Sequence, residues 1–148
     1  RNRVRVLRFP KNAEQVFLRN LYNTYIKPPW ANFVVQPFVV GKNLKDNILY
    51  VAEGEDNKFL ISDSCFLEMV NFNTDLRPNK LTAKFRYRQD DYPVTLEYLD
   101  NGEIKVNYNN IKSVTPGQAC VFYLGSKCIG GGIVREVCKD NKKIWYLL

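Results

Sequence analysis

From Leu81 onward the chain is a succession of short β-rich runs separated by turn chemistry, and no other feature restricts its fold so tightly. Six runs stand out: Leu81 to Arg88, Val94 to Tyr98, Ile104 to Tyr108, Ala119 to Leu124, Ile133 to Cys138 and Ile144 to Leu148. Asp100-Asn101-Gly102 separates two of them with a strong hairpin signal, because Asn-Gly tolerates the positive φ angles of a type I′ turn. Gly125-Ser126 and Asp140-Asn141 serve the same purpose. A meander of this size closes on itself to hide its edges, so residues 76–148 are expected to form a six-stranded antiparallel β-barrel.

Upstream, Asn73 to Lys80, with Asp75, Pro78 and Asn79, marks a linker. Residues 32–75 supply further β runs, Phe33 to Val40, Ile48 to Ala52, Phe59 to Ile61 and Ser64 to Phe72. The polar loop from Gly41 to Asn47 suits a hairpin between the first two. These runs define a small central β-domain. Residues 1–31 form a third segment. Arg3, Val4, Arg5 and Val6 alternate as a strand with a charged face would, although an irregular basic arm fits equally. Asn12 as N-cap, Gln15 behind it, and apolar residues at Phe17, Leu21 and Tyr25 predict one short helix over 12–26, stopped by Pro28-Pro29. The expected fold class is therefore mainly β with one N-terminal helix.

The 148 residues carry a net charge of +7, and its distribution says more than its total. Residues 1–31 hold seven Lys/Arg against one acid, residues 32–75 three against seven, and residues 76–148 twelve against seven. Basic charge at both ends fits a polyanionic partner, though it also fits a generically basic protein. No apolar run approaches the roughly 20 residues that span a bilayer, so no membrane partner is expected. Arg1 in place of Met suggests an excerpted chain. Cys65, Cys120, Cys128 and Cys138 lack a C-x-x-C pair and the chain has no His, which argues against a metal site. Cys120, Cys128 and Cys138 sit in apolar runs and read as buried, reduced thiols, with the cytoplasm the simplest compartment.

Three motifs carry chemistry. In Lys84-Phe85-Arg86-Tyr87-Arg88-Gln89, strand alternation would put Lys84, Arg86 and Arg88 on one face, about 6.6 Å apart, where guanidinium groups can grip successive phosphates. An ordinary solvated edge is the plainer reading. In Val114-Thr115-Pro116-Gly117-Gln118, Pro-Gly fits a type II turn that would deliver Gln118 to the start of a strand with its amide free to donate and accept. Gly130-Gly131-Gly132 lacks the G-x-G-x-x-G pattern and reads as a bulge or a close backbone approach rather than a phosphate loop.

The order of these motifs resembles the C-terminal signature of the tRNA-specific 2-thiouridylases: Arg86-Tyr87-Arg88-Gln89, Thr115-Pro116-Gly117-Gln118-Ala119, Val121-Phe122-Tyr123 and Cys128-Ile129-Gly130-Gly131-Gly132-Ile133. Pro37 to Lys42, Asn47 to Val51 and Gly54 resemble that family's central domain. The resemblance covers about residues 33–138. It implies a parent enzyme that uses ATP to adenylate the wobble uridine of certain tRNAs and replaces its 2-oxygen with persulfide sulfur. That chemistry belongs to an N-terminal domain with an S-G-G-x-D-S loop and two catalytic cysteines. Neither motif is present here, so this portion alone is expected to be inactive and to hold no cofactor.

By resemblance, Arg86, Tyr87 and Gln118 carry over as tRNA contacts. Alternation adds Lys84 and Arg88. A regular strand would point Arg86 and Tyr87 oppositely, so either the strand ends or bulges at Tyr87 or one contact runs through backbone. The implied partners are the tRNA anticodon arm and a sulfur-carrier protein, not DNA. An alternative is a protein-interaction barrel that docks a catalytic domain or the carrier without touching tRNA. Residues 1–31 depart from the family, whose central domain usually has a G-Q-R-x-G segment there. Either they are a lineage variant, or residues are omitted.

Overall fold

A computed structural model describes residues 4–8 and 37–147. They form two compact units, one of the described residues up to Leu60 with Tyr146 and Leu147, the other of Ile61–Trp145. The helix expected over 12–26 lies outside the described residues.

In the first unit, Arg5–Arg8 (β1), Pro37–Asn43 (β2) and Ile48–Glu53 (β3) form an antiparallel sheet in the order β1-β3-β2. A strand forms at β1, which pairs Arg5 with Val51 and Arg8 with Ile48, but without the expected alternation, since Val6 is exposed alongside Arg5 and Arg8. The expected hairpin joins β2 and β3, closed by Asp46 N–H donating to Asn43 Oδ1 at 3.1 Å. Gly41 has a specific reason to be glycine: the Tyr146 backbone carbonyl occupies the space a side chain would need. Tyr146 is held there by its hydroxyl, which donates to the Phe59 carbonyl at 2.6 Å.

The second unit is a closed barrel of Ile61–Phe72 (β4), Lys80–Lys84 (β5), Tyr92–Tyr98 (β6), Ile104–Lys112 (β7), Ala119–Leu124 (β8) and Lys127–Lys139 (β9). The ring runs β9-β4-β7-β6-β5-β8 and returns to β9, with every pairing antiparallel. Lys142–Lys143 (β10) folds back on β9. Alternation drives closure: in β7, Ile104, Val106 and Tyr108 are buried while Lys105 and Asn107 are partly exposed. Leu67, Leu96, Phe122, Ile129 and Val134 fill the interior from other strands. Each such side chain contributes about 1.5–3 kcal/mol by leaving water.

A six-stranded barrel is what the sequence leads one to expect, but one strand is different. Ile144 to Leu148 does not supply the sixth strand; β4 does, inserted between β7 and β9. Ile144 instead donates its N–H to Val137 O at 2.9 Å beside the short β10. The polar stretch after Phe72 is a loop inside the barrel, so the compact units part at Leu60 and Ile61 rather than at residue 75.

Turn chemistry places the hairpins, with one change of type. Asp140 and Asn141 both take positive φ, 53° and 60°, as a type I′ turn requires. At Asp100-Asn101-Gly102 only Gly102 does, at 80°. Leu99 N–H donates to Glu103 O at 3.0 Å, and Gly102 N–H to Leu99 O at 3.1 Å. This is a three-residue loop ending in a glycine bulge.

Candidate functional site

The strands β5, β7 and β9 run parallel to one another around the ring, so the connections that leave their C-terminal ends lie at the same end of the barrel. These are residues 85–91, 113–118 and the Asp140-Asn141 hairpin. All five candidate residues fall on or beside the first two.

Lys84 to Arg88 is not a straight row. Strand β5 stops at Lys84, and the next residues turn: Gln89 N–H donates to Arg86 O at 3.2 Å, leaving Tyr87 and Arg88 at the tip. The Gln89 side-chain carbonyl accepts the Phe85 N–H at 3.2 Å, which removes Phe85 from the strand ladder. Phe85 anchors the turn, 3% exposed and edge-on to the Tyr108 ring at 5.3 Å. Tyr87 is 95% exposed. Alternation therefore ends after Lys84, and the strand stops before Tyr87, which removes the conflict between Arg86 and Tyr87.

The cations separate in role. Lys84 is engaged by Asp91 at 3.2 Å and lies over the Tyr123 ring at 5.6 Å. Arg86 donates through Nη2 to Ser113 O at 3.2 Å, fastening the first turn to the 113–118 connection. Arg88 is exposed and bonds no described side chain.

The second connection crosses from β7 to β8, which are not neighbours in the ring, and Val114, 2% exposed, buries its side chain there. The expected type II turn is present: Gln118 N–H donates to Thr115 O at 3.3 Å, and Gly117 sits at φ 87°. Gly117 N–H and Gln118 O pair with Val134 O and N–H, both at 2.8 Å. Gln118 immediately precedes β8, but its Oε1 already accepts the Thr115 N–H at 3.2 Å. Its Nε2 remains the group able to reach a ligand.

The structure thus brings Arg86, Tyr87, Arg88 and Gln118 to one end of the barrel and ties Lys84 into the wall beside them. Sequence reasoning missed Gln89 and Ser113. Gln89 carried a usable signal, since it closes a turn in the same manner as Gln118.

Gly130-Gly131-Gly132 lies within β9. Side chains at these positions would run into the carbonyl oxygens of Asn71, Cys120 and Glu68 respectively. The run therefore permits close strand approach. Three of the four thiols are held in their protonated form by burial. Burial pushes the Cys65 thiol up to about 12, and burial likewise raises Cys120 and Cys138. Cys65 shares the interior with a hydrogen-bonded pair, Tyr108 OH and Ser62 Oγ, 2.8 Å apart. The expectation of burial fails for Cys128, which is exposed near the β8–β9 hairpin. A depression of about 460 Å³ on the barrel flank, lined by Lys80, Thr95, Asn107 and others, includes none of the candidate residues. No helix among the described residues is long and apolar enough to cross a membrane.

Residues 62–134 match the family model described as an aminomethyltransferase β-barrel domain, a span that begins in β4 and so agrees with the barrel's boundary. The chain is 45% identical over 111 residues to a tRNA-specific 2-thiouridylase of Mycoplasmopsis synoviae, covering 74% of this chain and 30% of that protein. It is 46% identical over 114 residues to one from Geobacillus kaustophilus and 44% over 115 residues to one from Bacillus subtilis, each covering 74% of this chain and 31% of the relative. The chain thus spans under a third of the length of these relatives. Together, the barrel, its boundary and these identities show that the chain belongs to the tRNA-specific 2-thiouridylase family, as a partial, barrel-bearing portion of it.

Proposed function

We propose that this chain is the tRNA-binding portion of an ATP-dependent tRNA 2-thiouridylase, and that the barrel end bearing the 86–89 and 113–118 turns grips the anticodon arm. The observation that carries this reading is the Arg86–Ser113 bond, which fastens the turn bearing the exposed Tyr87 and Arg88 to the connection that ends at Gln118. Each has a distinct task. Tyr87 offers an aromatic face on which an unpaired loop base can stack, worth about 1–3 kcal/mol. Arg88 pairs with phosphate. Gln118 Nε2 donates to a base or backbone oxygen while its Oε1 holds the turn.

In this account adenylation with ATP and persulfide transfer take place on another domain of the parent enzyme, which a sulfur-carrier protein would supply in the cytoplasm. This portion alone positions tRNA and is inactive. Filter binding tests the reading. The wild-type chain should retain tRNA, and Arg88→Glu should weaken retention and lower the salt slope by roughly 0.7–0.9 per lost phosphate contact. An unchanged affinity and slope would sink it.

A second reading, a barrel that docks protein rather than RNA, draws on Met69, which is 80% exposed and held at φ 52° in β4. Cross-linking separates the two, since capture of the carrier without tRNA favours docking.

A further inference from the structure

We propose that Gln89 is the positioning residue of this site: by bonding the backbone at Phe85 it holds the turn that projects Tyr87 to the RNA. The inference rests on the tRNA reading above and deepens it.

Nothing about Tyr87 itself fixes its place. At 95% exposure it has almost no protein surface to rest on, and neither Tyr87 nor Arg88 adopts a positive φ that would mark a specialised turn. A two-residue tip of this kind exchanges among conformations unless its base is closed. Three bonds close it. Gln89 N–H donates to Arg86 O at 3.2 Å, Gln89 Oε1 accepts from Phe85 N–H at 3.2 Å, and Arg86 donates to Ser113 O at 3.2 Å. Two of the three come from Gln89, and its side-chain bond joins the tip to the buried Phe85. Gln118 does the same for the neighbouring turn through Thr115 N–H. One side-chain chemistry, a glutamine carbonyl accepting a backbone N–H from three or four residues earlier, thus orders both turns. An ordered tip binds without first losing conformational freedom, so removing the lock weakens binding without removing a contact.

The test uses Gln89→Met, which keeps length and removes the acceptor, in the 148-residue chain. Amide exchange at Phe85 should quicken by about fivefold, as expected for one neutral hydrogen bond, whereas Gln89→Glu, which keeps an acceptor, should leave it slow. Affinity for a tRNA should fall by a similar factor in Gln89→Met with the salt slope unchanged, because no phosphate contact is lost. In a Tyr87→Ala/Arg88→Ala background, Gln89→Met should cost nothing further, since its effect runs through the two residues at the tip. An additive loss in that background would reveal general damage and overturn the positioning role. So would unchanged Phe85 exchange, or unchanged affinity where Tyr87→Ala weakens binding. If neither Tyr87→Ala nor Arg88→Ala alters affinity, the tRNA reading itself falls, and the positioning role with it.

Discussion

Raising the pH should destabilise this barrel through its buried thiols, and the size of the effect can be worked from Cys65. Its thiol moves from 9.0 to about 12 because burial disfavours the thiolate. The unfolded chain therefore releases this proton near pH 9, while the folded chain keeps it to about pH 12. Above pH 9 the unfolded state binds fewer protons than the native state, so stability falls as pH rises. The contribution is fully present below pH 9 and diminishes from there toward pH 12. At pH 10 the loss from Cys65 alone is on the order of 1 kcal/mol relative to neutral pH. Cys120 shifts in the same direction and adds to it. Urea titrations at pH 7, 9 and 10 on the wild type and Cys65→Ala provide the assay. The variant starts lower, since it leaves a small cavity, but should lose on the order of 1 kcal/mol less between pH 7 and pH 10. Parallel pH profiles for the two proteins would refute the reasoning, and with it the claim that burial holds this thiol protonated.

Gly131→Ala should destabilise the barrel by about 1–3 kcal/mol in urea melts, because the new methyl meets the Cys120 carbonyl across the β8–β9 pairing; a neutral result would contradict the close-approach reading. Lys84→Ala should leave the salt slope of tRNA binding unchanged, because Asp91 and the Tyr123 ring already engage that ammonium, while Arg88→Ala should lower it; equal effects would restore the continuous basic row. Asp63→Ala should loosen the β9–β10 hairpin, since Asp63 Oδ2 accepts the Asp140 N–H at 2.9 Å. Amide exchange at Asp140 should quicken with little effect on barrel melting.

The barrel was legible because alternation and turn residues are local. Val106 and Tyr108 face inward for reasons visible within β7, and Asp140-Asn141 announces its turn by composition. What escaped was decided by distant partners. Strand β4 belongs to the barrel because β7 and β9 need a neighbour between them, a demand of closure that no window around Ser64–Phe72 displays. Phe85 continues the apolar alternation of β5, and only the bond from its own N–H to the Gln89 side chain removes it from the ladder. The site divides the same way. Motif order pointed to Arg86, Tyr87 and Gln118, while the engagement of Lys84 with Asp91 depends on how the 85–91 connection folds back. Cys128 looked buried because it adjoins Ile129, yet its neighbour alone turns inward.

The most direct test of the central claim is a titration of the isotope-labelled chain with an RNA stem-loop of anticodon-arm form, followed by backbone amide chemical shifts. The account predicts perturbations concentrated at residues 85–89 and 113–118, with residues 99–103 and 125–126 at the other end of the barrel silent. Perturbations centred on that other end, or none at concentrations that saturate the parent enzyme, would contradict it.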